Sequence, residues 1–154
     1  MRYRKRFAIM AAGMALAATP VMAGAADAPL TRVFLKDGLP GEIGGSASVI
    51  GTNGAEDITL RDEPGRIEFD GSFNRGNDTI RLPGAAAGYT VRQEGSRALL
   101  TEDGRSYSIP VGPAGIPIVF SDGARTLAFR AGDAMFLGSQ RITGTPARVD
   151  APAS

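Results

Sequence analysis

The chain has no cysteine, no histidine and no tryptophan. Without cysteine it has neither disulfides nor thiolate chemistry to offer. Without histidine it lacks the commonest general base, and with it every Ser-His or Cys-His nucleophile arrangement. Zinc, copper and haem sites lose their usual ligands together with these two residue types, which leaves hard cations held by oxygen as the metals the composition allows. Aromatic residues make up 6% of the sequence and none is tryptophan, so a sugar-stacking platform has little to be built from. Lysine is also scarce: beyond the N-terminal segment, Lys36 is the only one.

The longest uncharged stretch lies at the N-terminus. Arg2, Arg4, Lys5 and Arg6 precede an apolar run from Phe7 to Ala18, Pro20 breaks it, and Val21-Met22-Ala23 and Ala23-Gly24-Ala25 place small residues where a signal peptidase reads. This is the three-part layout of a secretory leader, and the run is shorter than the ~20 residues of a spanning helix. Residues 1–25 are therefore expected to be a signal peptide, with no membrane span left after cleavage. The four basic residues depart with the leader. The remaining chain carries 13 basic against 16 acidic residues, an acidic balance that argues against nucleic acid as a partner. The expected location is the periplasm, the cell surface or the medium.

Residues 26–145 read as one all-β domain, and 146–154 as a flexible Pro/Ala-rich tail. Short alternating or apolar runs recur, among them Asp57 to Arg61, Arg66 to Phe69, Ser106 to Val111 and Ile116 to Phe120. They give about ten short strands at the spacing of sandwiches, barrels and short β-rolls. Asp-Gly pairs at 37–38, 70–71, 103–104 and 122–123 mark turns, because both residues tolerate positive φ. Residues 38–54 hold six glycines and read mainly as loop, with a short strand around Ala47 to Ile50. Pro117 interrupts an apolar run. A proline donates nothing to a ladder, so its strand is expected at a sheet edge, where a partner protein's strand can be received.

Gly76-Asn77-Asp78-Thr79-Ile80 fits the second half of a nonapeptide whose glycines open a turn, whose Asp supplies a carboxylate and whose aliphatic residue plugs a roll interior. Gly51 to Ile58 fits the same frame, with Thr52 in place of a glycine and Glu56 in place of the Asp. Together with Asp70 to Arg75, Gly88-Tyr89-Thr90-Val91 and Val119 to Leu127, these residues resemble the β-rich modules found in and beside the RTX, or hemolysin-type calcium-binding, repeats of exported bacterial proteins. The resemblance implies a calcium ion held by Asp78, Asn77 and the carbonyl of Gly76, with Asp57 or Glu56 from a neighbouring turn. Phe73 and Asn74 stand where the nonapeptide's first two glycines belong, and there are two copies rather than a tandem array.

A second reading comes from the acids Asp62, Glu63, Glu68 and Asp70, since two carboxylates suffice for sugar hydrolysis. Glu68 and Asp70 lie two apart on a presumed strand and share its outer face, with Ile67 and Phe69 turned to the core. The sequence thus points first to an exported, non-enzymatic β module with a binding or structural role. A small secreted hydrolase using paired carboxylates and a periplasmic accessory or inhibitor protein are the alternatives.

Overall fold

The computed structural model describes residues 29–75, 77–130 and 132–151; the expected leader lies outside them. The fourteen strands described are β1 (Thr31–Phe34), β2 (Gly41–Ile43), β3 (Ala47–Ile50), β4 (Asp57–Leu60), β5 (Gly65–Phe69), β6 (Thr79–Arg81), β7 (Thr90–Glu94), β8 (Arg97–Glu102), β9 (Arg105–Pro110), β10 (Ile116–Phe120), β11 (Gly123–Arg130), β12 (Ala134–Leu137), β13 (Gln140–Ile142) and β14 (Ala147–Arg148). They form two seven-stranded sheets. The first has the order β1-β3-β5-β9-β8-β7-β14 and the second β13-β12-β11-β10-β6-β4-β2. Two layers close over one core, and the fold is all-β as the strand spacing predicts. Among the described residues no helix is long and apolar enough to cross a membrane.

From β1 to β6 the chain alternates between the two sheets, and each strand lies parallel to the one two before it. This is a coil of a β-roll. Register partners are 16 residues apart between Thr31 and Ala47, 17 between Gly41 and Ile58, 20 between Ala47 and Ile67, and 22 between Asp57 and Thr79. After β6 the chain changes habit. β7, β8 and β9 form an antiparallel meander that ends parallel to β5, and β10 to β13 form a second meander that starts parallel to β6.

Alternation along each strand decides what is buried. Ile58 and Leu60, Ile67 and Phe69, Tyr107 and Ile109, and Ile116, Ile118 and Phe120 point inward, and their neighbours in sequence point out. The expected inward placement of Ile67 and Phe69 is what the fold has. The Asp103-Gly104 turn joins β8 to β9 with both residues at positive φ, 37° and 75°, as a two-residue hairpin of this type requires. Asp70-Gly71 instead opens a 3₁₀ turn over Gly71–Asn74, with Asp70 as its cap.

Three expectations change. Pro117 is not on an edge: β10 lies between β11 and β6 in the middle of its sheet. The proline is accommodated because the ladder to β6 begins only at Ile118, one residue on, so its missing N–H forfeits no paired position there. The expected partner-receiving edge near Pro117 is therefore absent. The glycine-rich stretch 38–54 contributes β2 as well as β3, and the segment after Pro146 adds β14, which pairs with β7, and the buried Val149.

Candidate functional site

The parallel coils bring the two nonapeptide-like turns side by side. Asp57 stands opposite Thr79 in the β4–β6 register, so the residues just before these strands, Glu56 and Asp78, are neighbours. Of the acidic and basic residues described, these two alone are buried, at 1% and 0% exposure. The backbone N–H of Glu56 donates to Asp78 Oδ1 at 3.0 Å. Glu56 Oε1 accepts from the backbone N–H of Thr52 at 3.0 Å and from the Thr52 hydroxyl. Thr52, standing where the motif has a glycine, thus anchors the acid that replaces the motif's Asp.

The remaining oxygens, Glu56 Oε2 and Asp78 Oδ2, receive no donor from elsewhere in the protein. Two bare carboxylates in a dry interior repel, and one proton shared between them removes both problems. Burial pushes the Asp78 carboxyl up to about 7, and its hydrogen bond to the Glu56 side chain adds to the shift. Burial acts to raise Glu56 too, but hydrogen bonds from Asp78 and Thr52 outweigh it and hold Glu56 below the ordinary glutamate value. Asp78 is thus the acid that keeps its proton, and Glu56 is the carboxylate.

The other residues of the expected calcium set lie elsewhere. Asp57 faces outward, where both its oxygens meet Arg81 at 2.8 Å, and that hydrogen bond lowers its carboxyl. Asn77 is exposed, and Gly76 lies outside the described residues. Calcium takes 6–8 oxygen ligands. The turns supply two buried carboxyls already bound to each other, and a third acid that is committed to an arginine. Among the described residues no cluster of three or more acids is placed to hold a metal. Among the described residues the donors gathered here fall short of the oxygen ligands calcium takes, although the stacking of the turns is that of a roll.

The acids of the hydrolase reading are spoken for as well. Glu68 pairs with Arg66 on the outer face of β5. Asp70 Oδ1 accepts from the backbone N–H groups of Ser72, at 3.2 Å, and Gly51, at 3.3 Å, and from the Ser72 hydroxyl. Asp62 pairs with Arg105, and Glu63 approaches Arg61 at 3.9 Å.

The most exposed large apolar residues carry no mark of their own in the sequence. Phe34 is 72% exposed and Leu39 54%, and both belong to the outermost coil, Phe34 on β1 and Leu39 in the loop to β2. Phe34 lies in the short apolar run Arg32-Val33-Phe34-Leu35, which looks like other such runs in the sequence, and only the position of β1 at the end of its sheet sets it apart.

Comparison with protein-family models, with curated proteins and with solved structures finds no match to this chain.

Proposed function

We propose that the chain is an exported, non-enzymatic β module that binds a partner or builds structure in the periplasm, at the cell surface or in the surrounding matrix. The observation that carries the reading is the burial of the one buried acid pair among the described residues. Glu56 and Asp78 sit together like a catalytic dyad, yet they are 1% and 0% exposed, and their hydrogen bonds go to Thr52 and to each other's turn. An acid that no substrate reaches holds the fold together. Glu68 and Asp70 are engaged by Arg66 and by the 3₁₀ turn, which argues in the same direction. The surface offers an open strand edge with exposed apolar residues, a feature suited to docking.

Fractionation of an expressing bacterium, with sequencing of the mature N-terminus, tests the export half of the reading. The expected product begins close to residue 26 and leaves the cytoplasm. An unprocessed cytoplasmic chain would overturn it.

Calcium-assisted folding is the second reading, favoured by the side-by-side placement of the turns at 52–57 and 77–79. Against it stands the donor count given above. Thermal melts with added calcium separate the two, since an ion bound to the folded state alone must raise the melting temperature.

A further inference from the structure

The turn that holds Glu56 also holds an asparagine followed by a glycine. Asn53 is exposed in the bend between β3 and β4, and Gly54 comes next. The chain has three asparagines, and the other two, Asn74 and Asn77, precede Arg75 and Gly76's neighbour Asp78 respectively. Before a glycine, the following backbone nitrogen can approach the asparagine side-chain carbonyl with no Cβ in its way. The fold itself requires this glycine: a Cβ on Gly54 would lie 1.8 Å from Asp37 Oδ1, on the turn of the preceding coil.

The Gly54 nitrogen is also placed against a base. Its N–H donates to Thr52 Oγ1 at 2.9 Å, and the Thr52 hydroxyl donates in turn to Glu56 Oε1. Amide, hydroxyl and carboxylate thus form one line of hydrogen bonds from Gly54 to Glu56. The far end of that line is fixed by the packing of the roll, since the Glu56 N–H is bound to Asp78 of the next coil. An amide nitrogen is a poor nucleophile while it keeps its proton, and a positioned base that takes the proton as the new bond forms removes that obstacle.

We propose that Asn53 is a self-modifying site, which loses its side-chain amide with Thr52 relaying a proton and Glu56 accepting it. The Gly54 nitrogen bonds to Asn53 Cγ while its proton passes to Thr52 and the Thr52 proton passes to Glu56. A proton then returns to the departing amino group, which leaves as ammonia, and a five-membered imide joins residues 53 and 54. Water opens the imide. Attack at Cγ gives aspartate on an unaltered main chain, and attack at the main-chain carbonyl gives isoaspartate, with the chain rerouted through the side chain. Nothing is oxidised or reduced, and water is the co-reactant. Either product adds a carboxylate to a turn that already holds Glu56 and lies against Asp37. Like charges so gathered repel, and the modified turn holds the preceding coil less firmly. The inference goes beyond the binding-module reading and stands whether or not the chain is exported.

The test is to hold the purified chain warm at neutral pH and follow it by trypsin digestion and mass spectrometry. Cleavage after Arg and Lys puts Asn53 in residues 37–61, Asn74 in 67–75 and Asn77 in 76–81, so each asparagine reports on its own peptide. Acid and isoaspartate should accumulate in 37–61 while the other two peptides keep their amides. Thr52→Val removes the hydroxyl at nearly constant volume and should slow the conversion at least about tenfold, whereas Thr52→Ser should keep it. The wild-type chain in urea gives a second comparison that does not depend on how Thr52→Val folds. There the line of hydrogen bonds is gone, and Asn53 should convert more slowly than in the folded chain. Asn53→Asp, which reproduces one product, should melt a few degrees below the parent at low salt. An Asn53 that stays intact, or one that converts as fast or faster in Thr52→Val or in urea, would overturn the relay, because the turn would then only restrain the asparagine. Equal melting of Asn53→Asp and the parent would overturn the loosening of the coil.

Discussion

The backbone N–H of Glu56 donates to Oδ1 of Asp78 at 3.0 Å, across 22 residues of sequence. That bond ties one coil of the roll to the next at the point where their two buried carboxyl groups lie together. Its consequence is a pH dependence with a definite sign. Folded Asp78 keeps its proton up to about pH 7, whereas an unfolded aspartate loses it near 3.9. Between these values the folded chain binds more protons than the unfolded one. The stability Asp78 contributes is complete below the unfolded value and drains away as pH rises through the folded one. Glu56 is shifted downward, so its contribution is present above the ordinary glutamate value and lost as pH falls through the lowered one. The melting temperature should therefore fall by several degrees between about pH 5 and about pH 8. Asp78→Asn keeps an acceptor for the Glu56 N–H and gains a donor for its carboxylate. It should flatten this slope, and an unchanged slope in that variant would remove the pair as its cause.

Asp57, one residue from Glu56, should behave quite differently. Its bonds to Arg81 are short and two-pronged, but the side chains are 48% and 46% exposed. Exposed pairs contribute little and are screened by salt. Asp57→Asn should cost under about 1 kcal/mol, and less at high salt. Urea unfolding of Asp57→Asn and Asp78→Asn at two salt concentrations distinguishes the surface acid from the buried one.

Phe73 fills the corner beneath the two coils. It is fully buried and meets Phe69 edge-on at 4.8 Å between ring centres. Gly51 leaves room for it: a Cβ there would lie 2.9 Å from the Phe73 ring and 2.6 Å from the Ser72 hydroxyl. Phe73→Ala should cost about 3–5 kcal/mol through lost burial and the cavity left behind. Gly51→Ala should cost about 1–3 kcal/mol by overpacking. Denaturant midpoints measure both, and a neutral Gly51→Ala would show that the 3₁₀ turn shifts to make room.

Much of this architecture is legible in the sequence because strand alternation is local. Ile58, Ile67, Phe69, Tyr107, Ile109 and Ile118 declare their burial by spacing alone. The Asp103-Gly104 hairpin follows from two residues that tolerate positive φ. What the spacing does not carry is the partner of each strand. Parallel stacking over 16 to 22 residues leaves no local mark, so the choice among sandwich, barrel and roll stays open until the register is seen. β2 and β14 hide for a related reason. Gly41–Ile43 and Ala47's upstream glycines look like loop, and Ala147–Arg148 sits in a Pro/Ala tail, yet each strand is held by a neighbour far away in sequence. Pro117 misleads because a missing N–H matters only where a ladder position needs it, and the β6 ladder starts one residue later. The motif did locate Asp78 and Glu56. Between these turns Glu56 takes hydrogen bonds from Thr52, the residue that stands where the motif has a glycine.

Glu68 and Asp70 offer the sharpest contrast between a catalytic and a structural reading of acids in this chain. Paired carboxylates in a glycosidase are both indispensable to turnover and commonly dispensable to folding. Here their structural loads are unequal. Glu68 makes an ion pair with Arg66 on a partly exposed face, whereas Asp70 caps the 3₁₀ turn and holds the Gly51 N–H from the preceding coil. Removing a cap of this kind costs about 1–2 kcal/mol, and the Gly51 amide, 19 residues away in sequence, is left without its acceptor. Asp70→Ala should therefore lower the melting temperature by several degrees, while Glu68→Gln should leave it within about a degree of the parent. Comparable losses of stability from both variants, or neither, would contradict this division of roles. A glycosidase activity abolished by either variant in a still-folded chain would put the hydrolase reading ahead of the binding module.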